Sequence, residues 1–226
     1  MHFHLPKPLH GWREFAGEVG IIVVGVLIAL AAEQVVEKFS WRERVHQAEA
    51  SMSKELSDDD GSQAYERLAM SPCIAKELAR AEQALIAERD RHVAFVAPAL
   101  SPPPFRTWDE NAWQAAVSSG ATSHMSAERM YLWSGAYALT PDMNQGSLRE
   151  SQDWAELERI STVSAHPSDA ERERMMGALA RARQDNAFLS FMTVVFLRSS
   201  QDVGVRVRTS LKHYAISKLP AALTHC

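Results

Sequence analysis

Between Glu18 and Glu33 the chain carries fourteen consecutive residues, VGIIVVGVLIALAA, with no charge and no polar side chain. As a helix at ~1.5 Å per residue this run covers about 21 Å, against about 30 Å for a hydrocarbon core. A cleaved signal peptide, a buried core helix and a membrane span all compete for it. The small residues Ala29, Ala31 and Ala32 suit a signal peptidase, but Lys7 and Arg13 are offset by Glu14 and Glu18, a poor n-region. Apolar runs of ten to fourteen residues are often core helices. The flanks favour the span: Trp12 and Phe15 precede the run and Phe39 and Trp41 follow it, as rings do at the two lipid–water interfaces. Trp12 to Trp41 is roughly 44 Å of helix, close to the ~40–45 Å of a bilayer with its headgroups. The sequence predicts a short N-terminal segment over 1–14, an uncleaved transmembrane helix over 15–40 and an extramembrane domain over 41–226.

Residues 4–34, HLPKPLHGWREFAGEVGIIVVGVLIALAAEQ, resemble the start of a group of uncharacterised bacterial single-pass inner-membrane proteins that begin HLPKPLHGWRxFxGEVGIIVxGVLIAL. Further along, PCIAKEL (72–78), WDENAW (108–113) and the turn from Gly120 to Met125 resemble it more weakly. The resemblance implies an inner-membrane anchor with a helical extramembrane domain and carries no activity with it.

Orientation rests on the cysteines. Lys7 and Arg13 before the span nearly balance Lys38, Arg42 and Arg44 after it, so the positive-inside rule does not decide. The two cysteines, Cys73 and Cys226, form an even set, and a disulfide between them requires an oxidising compartment. The alternative is two unrelated thiols. The expectation is a Cys73–Cys226 disulfide, a cytoplasmic N-terminus and a periplasmic domain.

The extramembrane part reads as all-α, an antiparallel helical bundle continuing from the membrane helix. Val45, Ala48, Met52 and Leu56 keep helical spacing past the span, so the helix is expected to run to Asp58–Gly61, or over Gly61 to Met70. Ser71-Pro72 reads as an N-cap with proline at the first helical position, opening a helix with Ile74, Leu78, Ala81 and Leu85 on one stripe. APALSPPPFR (97–106) is expected to be an extended, polyproline-like connector. Thr107 is expected to cap a short helix ended by Gly120, and Ser126 another, with Met130, Trp133 and Tyr137 on one face and Pro141 ending or kinking it. Leu148, Trp154, Leu157 and Ile160 carry the next. Ser168 and Glu171 form a capping box for a long helix whose AFLSFMTVVFL segment (187–197) is expected to be buried on most sides, with Gly204 at its end. Val203, Val205 and Val207 alternate as a short extended piece, before a helix with Leu211, Tyr214 and Leu219.

A net charge of −4 argues against a nucleic-acid partner. Phosphate-loop, dinucleotide, HExxH, GxSxG and CxxC motifs are absent, so no enzyme, metal or cofactor is expected. His2, His4 and His10 lack acidic or thiol companions, and Asp58–Asp60 reads as a solvated acidic turn. Trp108, Trp113, Trp133, Trp154, Tyr131 and Tyr137 read as core rather than as a ligand groove. The C-terminal cations Arg198, Arg206, Arg208, Lys212 and Lys218 read as a solvated face or one turned to anionic lipid.

Glu18, Ile22, Gly25, Ala29, Ala32 and Val36 fall on one face of the span, with Gly25 and Ala29 a small-xxx-small pair that permits close helix approach. The expected function is a non-enzymatic accessory or assembly subunit of a larger inner-membrane complex, its partners being lipid and other integral membrane proteins. The alternatives are a periplasmic ligand-binding or sensor module, disfavoured by the short segment before the span, and a membrane-anchored enzyme.

Overall fold

The computed structural model describes residues 11–91, 93–96, 98–160, 165–219 and 221–223, and these hold seven α-helices and no strand. The all-α reading is correct. The chain divides into two compact units, Met1–Gln47 and Ala48–Cys226.

Helix α1 (Trp12–Lys54) passes into a π-helical turn, Glu55–Asp59, and then into α2 (Asp60–Arg91). The π turn is closed by the Asp60 N–H donating to the Glu55 carbonyl, one residue further back than an α-helix allows. Gly61 follows where space is tightest: a Cβ there would lie 2.1 Å from Val207 Cγ2 and 2.8 Å from the Leu56 carbonyl oxygen.

The helix expected to start at Ser71-Pro72 does not start there, because Pro72 lies inside α2. Proline removes one backbone donor and costs roughly 3 kcal/mol in a helix interior. Met52, Leu56, Ala64, Met70, Ile74, Leu78, Ala81 and Leu85 are all buried, a stripe that runs past Pro72 on both sides, and the ring itself faces solvent. Burying that stripe outweighs one lost bond. Ser71 Oγ donates to the Arg67 carbonyl at 2.9 Å instead of capping forward.

After the segment 93–110 come α3 (Asn111–Ser118), a 3-10 turn (Ala121–His124), α4 (Ala127–Tyr137), α5 (Thr140–Ile160), α6 (Asp169–Asp202), α7 (Thr209–Ser217) and a last 3-10 turn (Ala221–Leu223). Glu110, not Thr107, is the N-cap residue of α3. Ser126 caps α4 by accepting from the Arg129 N–H, and Ser168 and Glu171 form the full capping box of α6. Pro141 falls in the first turn of α5, where its missing N–H costs nothing. Gly204, at φ 86°, closes α6: its N–H donates to the Gln201 carbonyl and that of Val205 to the Ser200 carbonyl, a Schellman pair. Residues 205–208 have no regular structure, so the alternating valines form no strand.

Helix α6 packs against α2, α5 and α4. Two buried clusters flank it. Trp154, Leu157, Met175 and Leu179 join the C-terminal half of the α2 stripe, while Trp108, Trp133, Tyr137, Met143, Met192 and Phe196 join Met52, Leu56 and Ala64. Its apolar segment is not buried on most sides, since Phe191 is 65 % exposed and Val194 50 %. Polar Asn186, Thr193 and Ser200 share the buried side instead, through hydrogen bonds of their own.

Candidate functional site

In the first unit the expected span residues are all presented outward. From Phe15 to Ser40 every side chain is exposed, Glu18, Ile22, Gly25, Ala29, Ala32 and Val36 among them. Among the described residues, nothing beyond the adjoining backbone of its own helix lies within 4 Å of a Cβ built on Gly25. Of the flanking aromatics, Trp12 is 80 % exposed and packs on Phe15 at 6.2 Å between ring centroids. The guanidinium of Arg42 lies over Phe39 and that of Arg44 over Trp41, cations over ring faces about two to three turns after the apolar run. Among the described residues one helix is long and apolar enough to cross a membrane, with mean hydropathy 2.4 over its most apolar window. That fits a single-pass membrane protein.

In the second unit, Trp108, Trp133, Trp154 and Tyr137 are buried, while Tyr131 is exposed. Trp154 belongs to one core cluster and the others to the second, so they line no common groove. Met130, expected on one face of α4 with Trp133 and Tyr137, is 44 % exposed while they are buried. Cys73 is buried and disulfide-bonded; Cys226, the other cysteine of the sequence, lies outside the described residues, as do His2, His4 and His10. No group of three or more metal-binding side chains occurs among the described residues.

The most organised polar feature is a ladder of glutamates. Glu55, Glu66, Glu77 and Glu88 recur every eleven residues, close to three helical turns, and so stack along one side of the helix. Each holds a different passing segment. Glu88 accepts from Arg172 at 2.7 Å, Glu77 from the Ser101 N–H at 2.8 Å, and Glu66 from Arg106 at 2.7 and 3.0 Å. Glu55 accepts from the Ala112 N–H at 3.0 Å and the Tyr137 hydroxyl at 2.9 Å. Asp60 adds a rung through the Asp109 N–H at 3.1 Å. From Ser101 to Asp109 the connector advances eight residues while the helix retreats seventeen, from Glu77 to Asp60. At ~3.1 Å per extended residue and ~1.5 Å per helical one, both distances are about 25 Å. The prolines therefore lie as an extended strap antiparallel to the helix, and carboxylates receive the N–H groups that a strap without sheet partners leaves over.

Asp60 departs from the solvated acidic turn expected of Asp58–Asp60. Asp59 is exposed, but Asp60 is fully buried, and its Oδ2 has no hydrogen-bond partner. Burial, together with the charges of Asp109, Glu55 and Asp59, pushes its carboxyl up to about 8, against an opposing pull from the Asp109 N–H. Tyr137 is pushed up as well, by burial and the adjoining Glu55.

Beneath the strap a buried ion pair crosses the bundle. Arg67 Nη1 donates to Glu150 Oε2 at 2.6 Å, and Arg67 Nη2 donates to Asn186 Oδ1 at 2.6 Å. Asn186 Nδ2 donates in turn to the Ser71 carbonyl at 3.1 Å, and Ser190 Oγ donates to Ser71 Oγ. A cavity of about 20 Å³ adjoins the pair, roofed by Pro103, Pro104, Phe105 and Arg106. The spacing of the glutamates was the only signal in the sequence for any of this, because Arg67, Glu150 and Asn186 are brought together from 83 and 119 residues apart.

Comparisons with family models, with curated proteins and with solved structures return no match for this chain. Its function must be argued from its own geometry.

Proposed function

We propose that this protein is a non-enzymatic accessory or assembly subunit anchored in a bacterial inner membrane, with the N-terminus in the cytoplasm and the helical domain in the periplasm. The observation that supports it best is the span: residues 19–32 carry no polar side chain, and every residue from Phe15 to Ser40 is exposed. A helix hydrophobic on all sides is stable only in lipid or against another helix. The ladder adds support from the second unit, because its carboxylates are engaged in holding the chain together rather than gathered around a reactive centre. The resemblance of residues 4–34 to inner-membrane anchors points the same way.

Purification in mild detergent is expected to recover a stoichiometric membrane partner. Gly25→Leu should then abolish that association while preserving insertion, because it places a bulky side chain at the closest approach and raises hydrophobicity. Val24→Leu, one step of about 100° around the helix, should leave it intact. Retention of every partner by Gly25→Leu would reduce the span to a passive anchor.

The periplasmic assignment rests on Cys73 pairing with Cys226. Non-reducing mass spectrometry after alkylation of protein taken from the native membrane is expected to show one Cys73–Cys226 cross-linked peptide pair. Two alkylated thiols would argue for the cytoplasmic side.

A further inference from the structure

We infer that the cavity beneath the proline strap is a binding site for a small neutral group that both donates and accepts hydrogen bonds, either a water molecule or a primary amide. Four of its lining side chains, Gln63, Arg67, Trp108 and Glu150, each carry a buried polar atom without a hydrogen-bond partner in the protein. Two are donors, Arg67 Nε–H and Trp108 Nε1–H, and two are acceptors, Gln63 Oε1 and Glu150 Oε1. Arg67, Trp108 and Glu150 are only 4–5 % exposed, so bulk solvent does not satisfy them. A buried group left unpaired costs about 1–3 kcal/mol, and four around one small space call for a shared occupant.

The chemistry of that occupant follows from charge and size. Arg67 and Glu150 neutralise one another at 2.6 Å, and the other charged lining residue, Arg106, is paired with Glu66 outside the cavity lining. A carboxylate ligand would meet Glu150 and an ammonium or guanidinium ligand would meet Arg67, so neither ion gains a net attraction. A cavity of about 20 Å³ exceeds the ~10–15 Å³ that one water requires and has no room for a large molecule. Water offers two donors and two acceptor lone pairs; the –CO–NH2 group offers a carbonyl for the two N–H donors and an amino group for the two oxygens. Met70, Leu189, Pro103, Pro104 and Phe105 form the apolar part of the wall, the usual composition of a small-molecule site.

The test uses the full chain in detergent micelles with 15N-labelled tryptophan, the Trp108 indole resonance being assigned by its loss in Trp108→Phe. Formamide, formate and guanidinium are titrated separately at equal ionic strength. The expected result is a saturable shift of the Trp108 indole by formamide, with formate and guanidinium weaker by roughly tenfold. If formamide gives no saturable shift but the indole proton shows a cross-peak to a long-lived water, water is the occupant and the site stands. Equal response to formate or guanidinium, or no ligand shift together with no long-lived water, would overturn it. Glu150→Gln leaves Arg67 without its counter-charge and should reverse the preference from formamide to formate; if that variant does not fold, the native titrations decide alone.

Discussion

Arg67→Leu is expected to destabilise the helical domain by about 3–5 kcal/mol, the cost typical of leaving one member of a buried ion pair alone. Glu150 is 5 % exposed, and without the guanidinium its charge has no counter-ion at 2.6 Å; Asn186 Oδ1 loses a donor at the same time. The double variant Arg67→Leu/Glu150→Leu should recover most of the loss, because it removes both desolvation penalties together with the attraction that offset them. Urea unfolding of the full chain in detergent, followed by circular dichroism, measures both. A single-variant loss below about 1 kcal/mol, or a double variant no better than the single, would show that water already reaches the pair and that the interior is less dry than it looks.

The second large effect is a dependence on pH. Asp60 titrates near 8 in the folded chain against 3.8 when unfolded, so between those values the native state holds a proton that the unfolded state has released. Its contribution to stability is fully present below pH ~4, declines as pH rises through that window and is lost above about 8. At ~1.4 kcal/mol per pH unit, the decline amounts to about 6 kcal/mol. Asp60→Asn keeps an oxygen for the Asp109 N–H and cannot ionise. Its stability should therefore change less with pH than that of the native chain, and the two curves should cross, with the variant the more stable at pH 9. Glu55, Asp59, Asp109 and Tyr137 surround the position and remain in both proteins, so the difference curve isolates Asp60. Parallel curves would mean that the carboxyl is ionised at neutral pH.

What the sequence made legible was mostly local. The Ser168–Glu171 box, the Ser126 cap and the Gly120 and Gly204 stops each follow from a side chain or a glycine acting within four residues of itself, and all four stand in the structure. Pro72 shows where that reasoning ends: the dipeptide has the local signature of a helix start, but the burial of residues on both sides of it decides the outcome. Asp60 escapes the pattern because a run of three acidic residues conceals that one of them faces inward. The same limit explains the cavity. Gln63 and Arg67 lie one helical turn apart on α2, but no spacing links them to Trp108 or Glu150, and only the folding of α2, the strap and α5 together makes the four neighbours. The eleven-residue glutamate series was readable, but a charge that repeats on a helix is ordinarily a solvated face.

The ladder also sets a rule for how such a domain can change length. Helix and strap are geared two to one: each strap residue passes two helical ones, and a rung recurs after eleven residues of helix, or between five and six of strap. A single insertion in either partner slides every later amide off its carboxylate and turns the prolines toward the wrong side. Viable longer or shorter forms should therefore differ by paired modules, about eleven residues gained in the helix with five or six gained in the strap. Variation confined to one partner should collect outside the rungs, beyond Arg91 or after Ala112.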